Sequence, residues 1–212
     1  MTLFDRQVIP LSLDNSQNKS ELIFWPQWLL PQQADDLFTL SKNTIPWRHD
    51  HISMFGKRMP VPRLQNWFAD HTDTSYTYSG IRMDAVQFPV WMSDLAQSVA
   101  QQTSFPFNRA LVNYYRDGRD SVDWHADDEL ALGADPIISS LSLGAERVFQ
   151  LRHNHTGEIF SLNLPHGSLL LMGSQIQHFY QHRLAKVKNI DQPRLNYTFR
   201  YMDNLLDTGV NP

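Results

Sequence analysis

NYYRDGRDSVDWHADDE, residues Asn113 to Glu129, sets the reading of the whole chain. At its centre stands His125-Ala126-Asp127. In an extended strand the side chains of residues i and i+2 leave the same face. A strand here therefore sends one imidazole and one carboxylate into one pocket. That is two-thirds of a 2-His-1-carboxylate set, which holds Fe(II) by one face and leaves positions open. Six acids lie between Asp117 and Glu129, opposed within that span by Arg119 alone, a costly cluster unless solvated or facing a cation. Asp117, Asp120 and Asp123 read as solvated loop acids and Asp127 as a ligand. A surface turn also produces His-x-Asp, so the rest of the chain has to decide.

Downstream, His178-Phe179-Tyr180-Gln181-His182-Arg183 offers a third ligand twice over. In one strand the two histidines are four apart and on the same side, so spacing does not choose between them, and His153, His155 and His166 are also present. The segment Arg194-Leu195-Asn196-Tyr197-Thr198-Phe199-Arg200 alternates cationic and polar residues with apolar ones. Its simplest reading is an outward polar face over an apolar core. An inward cationic face would need an anion, and arginine matches a carboxylate bidentately.

Around these stretches the chain turns β-rich after Phe107. Short runs at Ile137–Leu143, Glu146–Arg152, Ile159–Leu164, Gly167–Met172 and Arg194–Met202 are split by turn residues, the pattern of a sandwich or jelly roll. Upstream, Glu21–Leu30 reads as an apolar strand. Pro31–Lys42 reads as an amphipathic helix with Pro at its start, and Pro89–Thr103 as a second helix packing through Trp91, Leu95 and Val99. Phe55-Gly56-Lys57 marks a tight turn. A phenylalanine there is ordinarily folded back into the core, but beside Met54, Lys57 and Arg58 it also fits an apolar wedge with phosphate-gripping neighbours. Tyr76 and Tyr78 alternate in a further strand. The expected organisation is a weakly ordered arm over 1–20 and one domain over 21–212, with helices and a substrate-reading lid over 21–110 and the β core over 111–202.

Composition sets bounds. In 212 residues, 42% hydrophobic and 19% charged, a real core can form. There is no cysteine, no apolar leader within residues 1–20, and no apolar run long enough to span a bilayer. The expectation is a soluble, cytoplasmic monomer without a membrane partner. A net charge of −4 argues against a general polyanion binder, so nucleic acid would need a local basic surface.

Taken together the motifs resemble the AlkB family of Fe(II)/2-oxoglutarate dioxygenases, in its DNA-repair branch. They are FGK…VPR (Phe55 to Arg63), YTYSG (Tyr76 to Gly80), N-x-Y (Asn113, Tyr115), H-x-D-D-E (His125 to Glu129), HGSLLLM (His166 to Met172), FYQH (Phe179 to His182) and R-x-N-x-T-F-R (Arg194 to Arg200). They occur in family order over roughly residues 45–202. The resemblance implies a double-stranded β-helix, or jelly roll, with N-terminal helices. It implies iron on His125, Asp127 and His182, the last chosen over His178 because it follows the aromatic pair. Gln181 intervenes in that motif, which a bulge in the strand would accommodate. It further implies a 2-oxoglutarate site on Asn113, Tyr115, Arg194, Asn196, Thr198 and Arg200. Phe55 would fill the gap left by a flipped base, Tyr76 and Tyr78 would line the base pocket with Arg63, and Asp128 and Glu129 would read the base edge. The activity implied is oxidative demethylation of N-alkylated bases in DNA, extending to RNA, with Fe(II), 2-oxoglutarate and O2. The rivals are an oxygenase acting on protein or free nucleotide, and a non-catalytic jelly-roll binding module.

Overall fold

The computed structural model describes residues 6–13, 19–54, 57–71, 75–78 and 81–203. The chain runs β1 (Gln7–Ser12), β2 (Lys19–Trp25), α1 (Pro31–Thr44), β3 (His51–Met54), β4 (Lys57–Pro60), β5 (Leu64–Ala69), β6 (Ser75–Tyr78), β7 (Ile81–Asp84), β8 (Val86–Gln87), α2 (Val90–Thr103), β9 (Arg109–Tyr115), β10 (Val122–His125), a 3-10 turn (Leu130–Leu132), β11 (Ile138–Gly144), β12 (Arg147–His153), β13 (Ile159–Leu164), β14 (Ser168–Met172), α3 (Ile176–Phe179), β15 (Tyr180–Leu184) and β16 (Arg194–Arg200).

Leu169 to Met172 shows how the layers form. Successive strand side chains alternate faces. Leu170 and Met172 join a core that also holds Leu22, Trp67, Leu111, Phe149, Leu151 and Leu164. Leu169 and Leu171 join a second core with Ala34, Met92, Leu95, Val99, Leu195, Tyr197 and Phe199. The first core fills the space between an eight-stranded sheet, β1-β2-β14-β11-β16-β9-β5-β8, and a four-stranded sheet, β10-β15-β12-β13. The second lies under α1 and α2 on the other face of the large sheet. The fold is the expected jelly roll with helices on one side.

Three expectations change. Residues 7–12, read as part of a weakly ordered arm, form β1 and pair with β2 from Gln7↔Phe24 to Ser12↔Lys19. Leu11 is buried there, Ile9 packs on the same core and Leu13 is buried just beyond the strand, an alternation broken up by Pro10. The strand expected over Glu21–Leu30 is β2, Lys19–Trp25. It stops before Pro26, which has no N–H for the ladder. The N-terminal portion also supplies β1, β2, β5 and β8 to the large sheet, so residue 110 is no boundary within it.

Candidate metal and cosubstrate site

β10 sets His125 opposite His182 of β15 in antiparallel register. From Val122 to His125 the chain advances three residues while its partner moves two, from Leu184 to His182. The bulge therefore lies in β10 and not in β15, where Gln181 had suggested it. β15 alternates regularly: Tyr180, His182 and Leu184 are buried, and Gln181 turns away to accept from Arg152 Nη2 at 2.6 Å. His178 is not in the strand. It lies in α3, about half exposed, with Nε2 3.3 Å from Asp135 and bonded to the Ala134 carbonyl. The structure thus separates two histidines that spacing left equivalent.

Asp127 follows β10, its backbone N–H donating to Gln177 Oε1 at 3.0 Å. One donor atom from each of His125, Asp127 and His182 lies within 4.8 Å of the others. His125 Nδ1 meets the Asp123 carbonyl at 2.7 Å. A carbonyl only accepts, so Nδ1 carries the proton and Nε2 keeps its lone pair. Burial pushes the His182 imidazole down to about 3, with His125 adding to it and Asp127 opposing. Burial also lowers His125. Burial alone would raise Asp127, but Arg200, with Nη2 2.8 Å from Oδ2, and secondarily the two imidazoles hold it near 2. The set is two neutral imidazoles and one carboxylate.

The large sheet supplies the opposite wall. Register pairs Tyr115 with Arg194 and Asn113 with Asn196, and the polar face of β16 points between the sheets. Leu195, Tyr197 and Phe199 back onto the helices, so both faces of β16 are covered and the simpler outward reading fails. Arg194 Nη2 donates to Ser142 Oγ at 2.9 Å, and its guanidinium lies 5.3 Å from the Tyr115 ring centroid. Asn196 Nδ2 donates to Ser140 Oγ at 2.8 Å, and Thr198 Oγ1 donates to Asn196 Oδ1 at 3.2 Å. Arg63 Nε reaches Asn113 Oδ1 at 2.8 Å. Burial lowers Arg194 to about 10; among the described residues it pairs with no carboxylate, and its Nε is buried without a hydrogen-bond partner.

The three candidate ligands, the polar face of β16, Arg63, Asn113, Tyr115 and Ser140 converge on a cavity of about 40 Å³, walled also by Leu111, Phe149, Met172 and Leu184. Beside His125 and Arg63 it adjoins a cleft of about 760 Å³ between β4 and the rim of β10 and β15. Some expected residues fall elsewhere. Asp128 is exposed and Glu129 half-buried, and neither lines the cavity or the cleft. Asp120, read as a solvated acid, is buried because Arg116 grips it through Nε at 2.7 Å and Nη2 at 2.8 Å. Tyr76 and Tyr78 lie in β6, facing Met83 and Ile81 of β7 in register, with side chains outside the described residues. Phe55 also lies outside them, between Met54 and Lys57, which pair across the β3–β4 hairpin. Sequence reasoning missed Ser140, Ser142 and Gln177. The serines had a legible signal, their alternation with Leu141 and Leu143.

A model of the 2OG-Fe(II) oxygenase superfamily matches residues 21–200. The chain belongs to that superfamily. Within the oxygenases it is 36% identical over 193 aligned residues to the alpha-ketoglutarate-dependent dioxygenase alkB homolog 3 of Mus musculus, covering 85% of this chain and 66% of that one. It is 34% identical over 179 aligned residues to the DNA oxidative demethylase ALKBH2 of Homo sapiens, covering 79% of this chain and 68% of that one. These relatives bear out the AlkB resemblance. The chain spans about two-thirds of the length of the curated relatives it matches. The solved structure of OsALKBH1 shares the fold, with a TM-score of 0.56 at 17% identity, covering 85% of this chain and 97% of that one. The residues fit the oxygenase's two ligands. His125, Asp127 and His182 suit Fe(II), and Arg194, a buried cation among hydroxyl and amide groups, suits one end of a dicarboxylate.

Proposed function

We propose that the protein oxidatively removes N-alkyl groups from bases in DNA, and also in RNA, acting as a monomer. The observation that carries this reading is the convergence of His125, Asp127 and His182 with the inward polar face of β16 on one cavity, adjoining a cleft large enough for a ligand. The names of the relatives support the substrate class. Arg200 keeps Asp127 ionised and burial keeps both imidazoles neutral, so all three donors are ready for Fe(II). Arg194, oriented by Ser142, holds 2-oxoglutarate with Asn113 and Tyr115, while Leu111, Phe149, Met172 and Leu184 keep water from the reacting centre. When bound, Fe(II) with 2-oxoglutarate and O2 supplies the oxidation that hydroxylates an N-methyl group, yielding succinate, CO2 and, from the hydroxymethyl product, formaldehyde. A base within a duplex cannot reach His125, so it leaves the stack to enter the cleft. The test is an anaerobic titration with Fe(II) and 2-oxoglutarate, followed by formaldehyde release from methylated oligonucleotides in air. Formaldehyde matching succinate is expected. Succinate without formaldehyde on any oligonucleotide, or turnover confined to a methylated protein or free nucleotide, would overturn the substrate assignment.

A further inference from the structure

On the small-sheet side the cavity ends at Val122 and Leu184, which stand opposite each other in register and both line it. One step beyond lies Arg147. On β12 the side chains of Arg147, Phe149 and Leu151 are buried together on the inward face. Phe149, in register with Leu184, walls the cavity, and Arg147 lies just outside it. Its Nη2 donates to the Asp120 carbonyl at 3.1 Å and the Ala185 carbonyl at 2.6 Å, and its Nη1 to the Asp117 carbonyl at 3.4 Å. One guanidinium thus ties the chain entering β10 to the chain leaving β15. The same two connections also bond directly: the Gly118 N–H donates to the Ile190 carbonyl and the Val187 N–H to the Gly118 carbonyl, each at 2.8 Å.

Carbonyls orient a cation without neutralising it. Arg147 is 2% exposed, its Nε has no hydrogen-bond partner, and among the described residues it forms no ion pair. Asp120 and Asp117 attract it through space, but each is engaged by another arginine, Asp120 by Arg116 at 2.7 Å and Asp117 by Arg119 at 2.5 Å. Arg194 is in the same condition, and the two act on one another. Burial lowers both, the Tyr115 phenol attracts both and bonds to Arg194, and Arg147 adds to the lowering of Arg194. Two buried cations around one phenol are costly in the empty protein, and an anion beside them removes that cost. They lie at the end of the site remote from the metal donors: Arg194 is six residues along β16 from Arg200, which holds Asp127.

We propose that Arg147 is a positioning residue that sets cosubstrate specificity: from outside the cavity it braces the wall behind Tyr115 and adds the charge that selects a 2-oxo acid whose far end is a carboxylate over one whose far end is neutral. The proposal rests on the cosubstrate site and is independent of which molecule is oxidised.

The test is calorimetric titration of Mn(II)-loaded protein, without turnover, by 2-oxoglutarate and by 2-oxopentanoate, which carries a methyl group in place of the far carboxylate. The ratio of the two Kd values reads selectivity. In Arg147→Gln, 2-oxoglutarate should weaken about tenfold and 2-oxopentanoate by less than about twofold, since only the former meets the lost charge. Arg147→Lys keeps the charge and should return the ratio to within about threefold of wild type. Arg147→Met should show the same fall as Arg147→Gln and replaces it if that variant does not fold. Equal weakening of both ligands, or an unchanged ratio in the neutral variants, overturns the proposal, as does failure of both neutral variants to fold, which would make Arg147 a structural pin. A wild type that binds neither ligand overturns it together with the cosubstrate site.

Discussion

His182 is buried with an imidazole held down to about 3 from an ordinary 6.5. Its folded value is depressed, so the unfolded chain takes up a proton that the native state refuses. Stability from this group is intact above pH 6.5, falls as pH drops below it, and stops falling near 3. Metal-free protein should therefore lose about 1.4 kcal/mol per pH unit from this proton between roughly pH 6 and 4. His182→Asn should flatten that slope in urea melts, and a parallel slope in the variant would show the proton belongs to another group. Gln177 acts on the neighbouring ligand. It holds the Asp127 N–H from a fully buried position, and among the described residues its side chain has no polar partner besides it except the Met172 sulfur. Gln177→Met keeps the volume and loses the acceptor, so the loop carrying Asp127 loosens. Metal affinity should fall about 10- to 100-fold, the usual scale for a residue that orients a ligand. The check is Mn(II) titration, since a redox-inert ion separates binding from turnover. An unchanged affinity would reduce Gln177 to packing.

At the scale of elements, β16 shows what was legible and what was not. Its alternation was plain, and so was the strand, but periodicity does not say which face meets helices and which meets the second sheet. Burial of both faces is a tertiary fact, fixed by α1 and α2 covering Leu195, Tyr197 and Phe199. The same limit hid the choice between His178 and His182, which the short α3 settles by removing His178 from the strand. It hid Asp120 too, because its partner Arg116 lies outside the acidic run. β1 was missed although Ile9, Leu11 and Leu13 alternate, because Pro10 and the polar residues around them read as an arm. The strands β11, β13 and β14 came out within a residue or two, since Gly and Pro bracket them. Two predictions follow from β16 and its neighbour. Arg194 is a buried cation that pairs with no described carboxylate. Arg194→Met should raise the melting temperature of the ligand-free protein, because an apolar replacement removes a desolvation cost, while weakening 2-oxoglutarate about tenfold or more. A lower melting temperature would make Arg194 structural. Gly144 ends β11 at φ +83°, and a Cβ there would meet the Pro193 carbonyl and Phe38 at 2.8 Å. Gly144→Ala should cost about 2 kcal/mol or more in chemical denaturation, from left-handed strain plus the clash.

The whole molecule is two sheets whose shared core is interrupted by a polar cavity. The apolar side chains of the first core hold the sheets together around it, and at the cavity itself they are joined by polar bonds, among them the ion pair of Asp127, after β10 on the small sheet, with Arg200 of β16 on the large one. Metal donors come from the small-sheet side, whereas the groups suited to 2-oxoglutarate come mostly from the large sheet. Filling the site therefore ties the sheets together where hydrophobic contact is thinnest. A ligand that binds only the folded state stabilises it by about 2.7 kcal/mol at a hundredfold excess over its Kd. If the site spans both sheets, that increment applies to opening either one. Hydrogen exchange with Mn(II) and 2-oxoglutarate should then slow amides of β12 and β15 by about the same factor, roughly 100-fold, as amides of β9 and β11, provided both sets exchange through global unfolding. Arg194→Met should abolish the 2-oxoglutarate share of the slowing in both sheets at once. Slowing confined to β10 and β15 would mean that the small sheet opens by itself, with the metal site local to it and the large sheet contributing a surface but no stability.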